Sequence, residues 1–158
     1  LLNNYINSSY NAYIVQAEFL PVVDGVYFYS QVFVGGTIQT GSIYGREMGA
    51  MSSSSYFNSN SATEFVLYNY STVGNSTGEG ITINANLQNV NSTTRPCAIT
   101  GTSTYFNTSG LPNNAFVGGT LLPANRADVV NGLRFYGSAE SGGNTIASGT
   151  VKLYGLRT

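Results

Sequence analysis

The chain has 158 residues, the length of a single domain, and only 8% of them are charged, with a net charge of −1. Six basic residues cannot neutralise many phosphates, which argues against nucleic-acid binding, and no apolar run reaches the roughly 18 residues of a transmembrane helix, which argues against membrane insertion. One cysteine and no histidine exclude an intrachain disulfide and any catalytic dyad or metal site that needs imidazole.

Neutral polar residues take the place of charge: 18 Asn, 18 Ser and 16 Thr stand beside 19 Gly and 12 Tyr. The plentiful aromatic and β-branched residues argue against disorder, and the small polar residues favour turns. The composition therefore predicts a β protein with many turns. Its exterior would rely on neutral hydrogen bonds, as we expect of a protein that works outside a cell.

The start of the chain, Leu1-Leu2-Asn3, has no initiator Met and no signal-like apolar stretch. We expect residues 1–12 to be a lead-in segment from a longer chain. Processing of an early segment would leave the same start. Residues 13–158 are then expected to form one domain.

Two apolar runs open this predicted domain. Residues 13–20 and 26–34 alternate along the chain, and Asp24-Gly25 between them is a turn signal. The side chains expected to share a face in each run are Tyr13, Val15, Ala17 and Phe19, and then Val26, Phe28, Val32 and Val34. Because both faces of the runs are rather apolar, they predict a hairpin near the centre of a sheet.

Residues 37–62 break this regularity. Gly41, Gly45 and Gly49 punctuate the segment, and residues 51–62 are largely Ser and Asn around Tyr56-Phe57. This composition predicts a long loop, or a short strand between loops. A loop of this length in a compact domain is usually functional or mobile.

The second half of the chain predicts a series of short strands. The clearest is 81–87, in which Ile81, Ile83, Ala85 and Leu87 are directed inward and the Thr and Asn residues between them outward. Further strands are expected at 63–70, 98–106, 115–122, 129–136 and 150–156. No window shows a helical period with caps. The predicted fold class is all-β, an antiparallel, jelly-roll-like β-sandwich of about eight strands.

The C-terminal part of the chain carries a more specific pattern. Residues 128–135 read DVVNGLRF, and after a glycine-rich turn residues 143–157 read GNTIASGTVKLYGLR. This ending resembles that of bacteriophage virion proteins described as tail-fibre, head-fibre or minor structural proteins. The resemblance implies a jelly-roll-like domain displayed on the virion, commonly in a trimer, with no shared catalytic residues.

Catalytic chemistry has little support in the sequence. A glycosidase needs two carboxylates about 5–10 Å apart, and no spacing among the seven acidic residues identifies such a pair. The serines have no histidine base and no G-x-S-x-G motif, and Cys97 is expected to be a small core residue. A calcium site built from carbonyls would be invisible in the sequence. We predict no catalytic residues, no metal site and no cofactor.

Carbohydrate binding fits the composition better, because tyrosine both stacks on sugar C–H surfaces and hydrogen-bonds hydroxyls. Arg46, close to Tyr44, could fork to a hydroxyl pair or to an acidic sugar. The predicted ligand-binding residues are Tyr44, Arg46, Tyr56, Phe57, Tyr105 and Phe106, with Tyr68 and Tyr70 as further aromatic candidates. Each ring could instead anchor a loop by packing against the core, belong to a strand or face another subunit.

Low charge also leaves sheet edges and faces poorly protected, which predicts that a partner covers some face. We expect a homotrimer that also contacts other virion proteins. The expected function is adhesion of the virion, an extracellular particle, to a host cell-surface glycan. The alternatives are a capsid-decorating or head-fibre domain for trimerisation and virion stability, and a polysaccharide depolymerase.

Overall fold

The structure, a computed structural model, describes residues 2–50, 56–68, 71–139 and 146–157, with the backbone alone at 47–50, 56–58 and 139. The described residues form twelve strands and a short 3-10 turn at Pro123–Asn125. The strands are β1 (Leu2–Asn3), β2 (Ala12–Pro21), β3 (Val26–Val34), β4 (Thr37–Ile38), β5 (Tyr44–Ala50), β6 (Tyr56–Ala62), β7 (Phe65–Val66), β8 (Ile81–Gln88), β9 (Ala98–Phe106), β10 (Pro112–Leu121), β11 (Val130–Ala139) and β12 (Ile146–Leu156).

Two sheets contain all of these strands. One has seven strands in the order β12-β2-β8-β9-β10-β5-β6, and the other has five, in the order β1-β11-β3-β4 with β7 also paired to β3. Every pairing is antiparallel. The prediction of an all-β, antiparallel sandwich is confirmed. Within the described residues, no helix has the length and apolar character needed to span a lipid bilayer.

The core lies between the two sheets and comes from the alternation of side chains along the strands. In β8 buried and exposed positions alternate without a break, with Ile81, Ile83, Ala85 and Leu87 inside, as predicted. The inward faces of β2 and β3 also carry the predicted residues. Phe19 from one sheet stacks on Phe28 from the other, with ring centroids 5.7 Å apart.

The predicted hairpin of β2 and β3 is wrong. β2 pairs with β12 and β8 in the seven-stranded sheet, whereas β3 pairs with β11, β4 and β7 in the other sheet. Each strand has one largely apolar face, and these two faces bury more surface when they oppose each other across the core than when they lie side by side. Gly25, with φ of +81°, makes the turn that carries the chain between the sheets.

Residues 37–62 contain more strand than predicted. β5 pairs with seven residues of β10 from Tyr44 to Ala50, and β6 pairs with β5. Pairing with a neighbouring strand has outweighed a glycine- and serine-rich composition, because strand formation depends on context more than on intrinsic propensity. Conversely, of the predicted strand 63–70 the structure describes residues 63–68, and within these only Phe65–Val66 is a strand.

The segment expected as a lead-in also contributes to the sandwich. β1 pairs with Leu133 and Gly132 of β11, and Ile6 is buried in the core. The sandwich therefore extends back at least to Leu2.

Candidate functional site

Two of the predicted ligand-binding tyrosines lie in the core. Tyr44 has no exposed surface and packs edge-on against Phe65, with ring centroids 4.8 Å apart. Its hydroxyl donates to the Gln39 carbonyl at 2.9 Å and accepts from the Val32 amide at 3.1 Å. Tyr105 is 1% exposed. The prediction that these two rings contact a ligand is corrected, because burial leaves them no surface to offer.

Arg46 lies elsewhere, on β5 near the edge of the seven-stranded sheet. Its Nη1 atom forms an ion pair with Oε1 of Glu64 at 3.0 Å. The Tyr56 and Phe57 side chains and all of Tyr70 lie outside the described residues, so those predictions stay predictions. The four predicted residues whose side chains are described, Tyr44, Arg46, Tyr105 and Phe106, are thus not gathered in one place.

Arg46 belongs to a set of aromatic and charged side chains that we call the tyrosine–arginine cluster. Its members are Tyr27, Tyr29, Tyr68, Tyr136, Arg46, Arg134 and Glu64. Strands β7, β3 and β11 lie side by side. Tyr29 of β3 contacts Tyr136 of β11 at a centroid distance of 5.3 Å, and it contacts Tyr68, two residues after β7, at 5.5 Å. The rings therefore pack on one another on the outer side of the five-stranded sheet.

Glu64 ties the charged part of this cluster together. Its second oxygen, Oε2, accepts from the Tyr136 hydroxyl at 3.4 Å and from the Thr63 hydroxyl. Burial, and then the charge of Glu64, raises the pKa of Tyr136, while burial and the hydrogen bond with Tyr29 raise the pKa of Tyr68. Both hydroxyls therefore stay protonated at neutral pH, as internal partners in a packed surface.

Phe106, in contrast, is 38% exposed and lines a cavity of about 740 Å³ on the outer face of the seven-stranded sheet. A second cavity of about 370 Å³ shares Glu18, Thr82 and Thr150 with the first, so the two adjoin. We call this combined depression the sheet groove. Its outward side chains are Gln16, Glu18, Thr82, Asn84, Thr104, Phe106, Thr150 and Lys152.

Strand register arranges these side chains in rows across the sheet. One row runs Thr150, Glu18, Thr82, Thr104 from β12 through β2 and β8 to β9. The adjacent row begins with Lys152, Gln16 and Asn84 on the same strands. Neighbouring members of a row stand about 4.8 Å apart, the spacing of paired strands. The groove therefore presents a regular field of hydroxyl, amide and single charged groups.

The loop before β8 closes one end of the sheet groove. Residues 75–80 line the larger cavity, and Glu79 caps this turn by accepting from the Ser76 amide at 2.7 Å. Glu18, on the floor of the groove, is exposed. Phe106 lies at the same end of the groove as this loop. The apolar ring and the loop therefore border the polar side chains of the sheet.

Of the outward side chains of the sheet groove, only Phe106 was among the predicted ligand-binding residues. A signal was present, because the alternation in 81–87 and 98–106 sends Thr82, Asn84 and Thr104 to one outer face. The sequence did not indicate which strands pair with each other. This pairing brings Glu18 and Thr150 into the same rows.

The described residues offer neither a metal-binding group nor an exposed thiol. The described residues contain no group of three or more His, Cys, Asp or Glu side chains placed to hold a metal ion. Cys97 is buried, as predicted, and burial raises the pKa of its thiol to about 12. Comparison with protein-family models, with curated proteins and with solved structures finds no match.

Proposed function

We propose that this chain is a non-enzymatic domain of a bacteriophage virion protein, at the end of a fibre or tail protein, that binds a host-surface glycan in the sheet groove. The observation that carries the proposal is the position of Phe106, an exposed apolar ring at the end of a groove lined by hydroxyl and amide groups. The virion assignment rests on the resemblance of residues 128–157 to phage virion proteins.

The chemistry of the groove suits a neutral sugar chain. Threonine hydroxyls and the amides of Gln16 and Asn84 match sugar hydroxyls as donors and acceptors. An aromatic ring supports the C–H face of a sugar, and a shallow polar floor lets several units of a chain lie across the rows. Glu18 and Lys152 add one charge of each sign, so the floor attracts neither polyanions nor polycations strongly.

The test is a glycan array probed with the domain displayed on multivalent beads, because single sugar sites bind weakly and multivalency raises the apparent affinity. The wild-type domain should bind a subset of bacterial surface glycans. Phe106→Ala should lower the affinity for them by roughly tenfold, the loss of one stacking contact.

The matched control is Phe116→Ala. Phe116 is 50% exposed on β10 of the same sheet but lines neither cavity of the groove, so its removal should leave glycan binding unchanged. Equal losses in both variants would place the binding surface elsewhere. If the wild-type domain binds neither the array nor whole host cells, the proposed function in adhesion is wrong.

A structural role is the second candidate. Phe116 and Tyr154, 50% and 48% exposed, lie on the seven-stranded sheet outside the groove and suit contacts between subunits or with other virion proteins. In this alternative the domain is a homotrimer that decorates the particle. Light scattering should give three times the chain mass, and deletion of the domain should lower particle stability without affecting adsorption.

A depolymerase is the third candidate, because Glu18 and Glu79 both line the larger cavity. Hydrolysis of a glycosidic bond by two carboxylates would release reducing ends. An assay for reducing ends with the wild-type domain and with Glu18→Gln decides this alternative. We expect no release from either protein, and release that Glu18→Gln abolishes would favour the depolymerase.

A further inference from the structure

A second depression lies at the margin where β11 and β12 approach, and we call it the edge cleft. It has a volume of about 630 Å³, in the range of small-molecule sites. Its apolar lining consists of Leu2, Phe19, Phe33, Ile38, Phe135, Ile146 and Val151. Arg134, Ser148 and Gly149 complete the lining. The cleft is therefore an apolar trough with one cationic group.

The cleft exists because β1 is short. β1 pairs only with Leu133 and Gly132, so that among the described residues no strand pairs with this edge of β11 beyond Leu133. Phe135, two residues further along β11, faces the core side and packs against Phe19 at a centroid distance of 5.3 Å. The apolar floor is thus built from both sheets.

Arg134 lines the cleft, and its guanidinium is held in place on the outer face of the five-stranded sheet. It lies over the Tyr136 ring, 4.5 Å from the centroid, and its Nη1 donates to Oε1 of Gln31 at 3.4 Å. Gln31 is only 4% exposed and is itself anchored, because its Nε2 donates to the Thr63 carbonyl at 2.9 Å. Stacking on one side and a fixed amide on another restrict the side chain before any ligand arrives.

No carboxylate of the described residues forms an ion pair with Arg134. The ion pair found there joins Arg46 to Glu64, and the other Glu64 oxygen accepts from Tyr136 and Thr63. A guanidinium carries five N–H donors, of which the described contacts of Arg134 use one. Donors and charge therefore remain for an anion at the cleft.

We propose that the edge cleft binds a small amphiphilic carboxylate, with its apolar body in the trough and its carboxylate on Arg134. A single guanidinium balances one negative charge, and its planar fork matches the two oxygens of a carboxylate. The apolar body supplies most of the affinity through burial, and Arg134 supplies the preference for an acid over an alcohol or an amine. The cleft shares Phe19, Ser148 and Gly149 with the larger cavity of the sheet groove, so the two depressions adjoin, but Arg134 lines only the cleft.

Titration calorimetry with decanoate, decanol and decyltrimethylammonium tests the proposal. The wild-type domain should bind decanoate at least tenfold more tightly than either other probe. Arg134→Gln should abolish this preference. The matched control Arg126→Gln removes the same charge from the exposed turn after Asn125, which lies outside the cleft, and should keep the preference.

A second variant tests the same site independently of Arg134→Gln, in case that substitution changes the fold. Leu2→Glu places a carboxylate at a half-buried position in the lining of the cleft and should weaken decanoate binding at least tenfold. Phe106→Ala should leave decanoate binding unchanged, because Phe106 does not line the cleft. The proposals for the cleft and for the glycan groove can therefore be tested independently.

Three outcomes would overturn the proposal. The first is no saturable binding of decanoate at millimolar concentration, and the second is equal affinity in the wild type and Arg134→Gln. The third is a concentration-dependent rise in mass that Leu2→Glu abolishes, without decanoate binding. That result would assign the cleft to a second copy of the chain.

Discussion

The outer faces of the two sheets differ although they draw on the same neutral, tyrosine-rich composition. On the seven-stranded sheet the exposed outward positions of β8 and β9 are Thr and Asn, except for Gln88 and Phe106 at the strand ends. On the five-stranded sheet the outward positions of β3 and β11 include Tyr29 and Tyr136, which pack on each other. The first face is open to a ligand, and the second is largely satisfied by its own contacts.

Cross-strand neighbours explain the difference. A tyrosine whose neighbours are tyrosines finds partners within the sheet, and these aromatic pairs stabilise the fold. A phenylalanine such as Phe106, at the end of a strand whose neighbours are small and polar, keeps part of its ring exposed. An aromatic residue in a polar β segment is therefore a binding candidate only when the adjacent strands do not supply another ring.

The largest loss of stability is expected from a substitution in the core, where the two sheets pack against each other. Phe28 has no exposed surface and stacks on Phe19 between the sheets. Phe28→Ala should lower the free energy of unfolding by about 3–5 kcal/mol, because a large cavity replaces the ring. Urea unfolding followed by circular dichroism measures this value. A loss below about 1 kcal/mol would mean that the two sheets do not pack through this pair.

Glu64 tests whether the tyrosine–arginine cluster stabilises the fold. Glu64→Gln should cost about 1–2 kcal/mol, because a partly buried acceptor of three side chains loses its charge and leaves Arg46 unpaired. The control, Glu18→Gln on the exposed sheet groove, should change stability by no more than about 0.5 kcal/mol. Similar losses in the two variants would contradict the contrast between the faces.

Alkaline pH should weaken the fold through its buried tyrosines. Burial raises the pKa of Tyr44 from 10.0 to about 12, so between these values the folded state keeps a proton that the unfolded state has lost. The stabilisation is complete below pH 10 and decreases as the pH rises towards 12. Urea midpoints measured from pH 8 to pH 12 should show this decrease.

The variant Tyr44→Phe sharpens the alkaline experiment. It should lower stability at neutral pH, because the Val32 amide loses its acceptor, yet it should make the alkaline decrease shallower. Tyr154→Phe, at a ring that is 48% exposed, is the control for the loss of a hydroxyl and should leave stability at neutral pH unchanged. A profile that Tyr44→Phe does not alter would assign the decrease to other groups.

The smallest effect on stability is expected in the sheet groove. Asn84→Ala should change the free energy of unfolding by no more than about 0.5 kcal/mol while lowering glycan affinity roughly fivefold, the loss of one hydrogen bond. Asn86 is the next outward residue of β8 and lines neither cavity, so Asn86→Ala should affect neither quantity. Array binding and urea unfolding of both variants provide the comparison.

Local patterns in the sequence predicted the strands well and their partners poorly. The alternation at 81–87 identified every inward residue of β8, because side-chain direction depends only on neighbours along the chain. The partner of β2 was missed because two apolar runs joined by a turn can lie side by side or oppose each other across a core. The pairing of β5 with β10 joins segments more than sixty residues apart, which no local pattern encodes.

The candidate site divides in the same way. Phe106 was predicted from its own polar surroundings, whereas the burial of Tyr44 and Tyr105 depends on the opposite sheet. Glu18 and Thr150 belong to the groove only through the register of β12 with β2. Residue type indicated the chemistry, and strand order decided which side chains share a surface.

The rows of hydroxyl and amide groups on the seven-stranded sheet also bear on the surroundings in which it can work. Dissolved salt weakens attraction between charges, and at about 0.1 M it does so beyond roughly 10 Å, but it has little effect on hydrogen bonds between neutral groups. A contact made by this floor, with its one carboxylate and one ammonium group, should hold nearly equally in dilute fresh water and in brine.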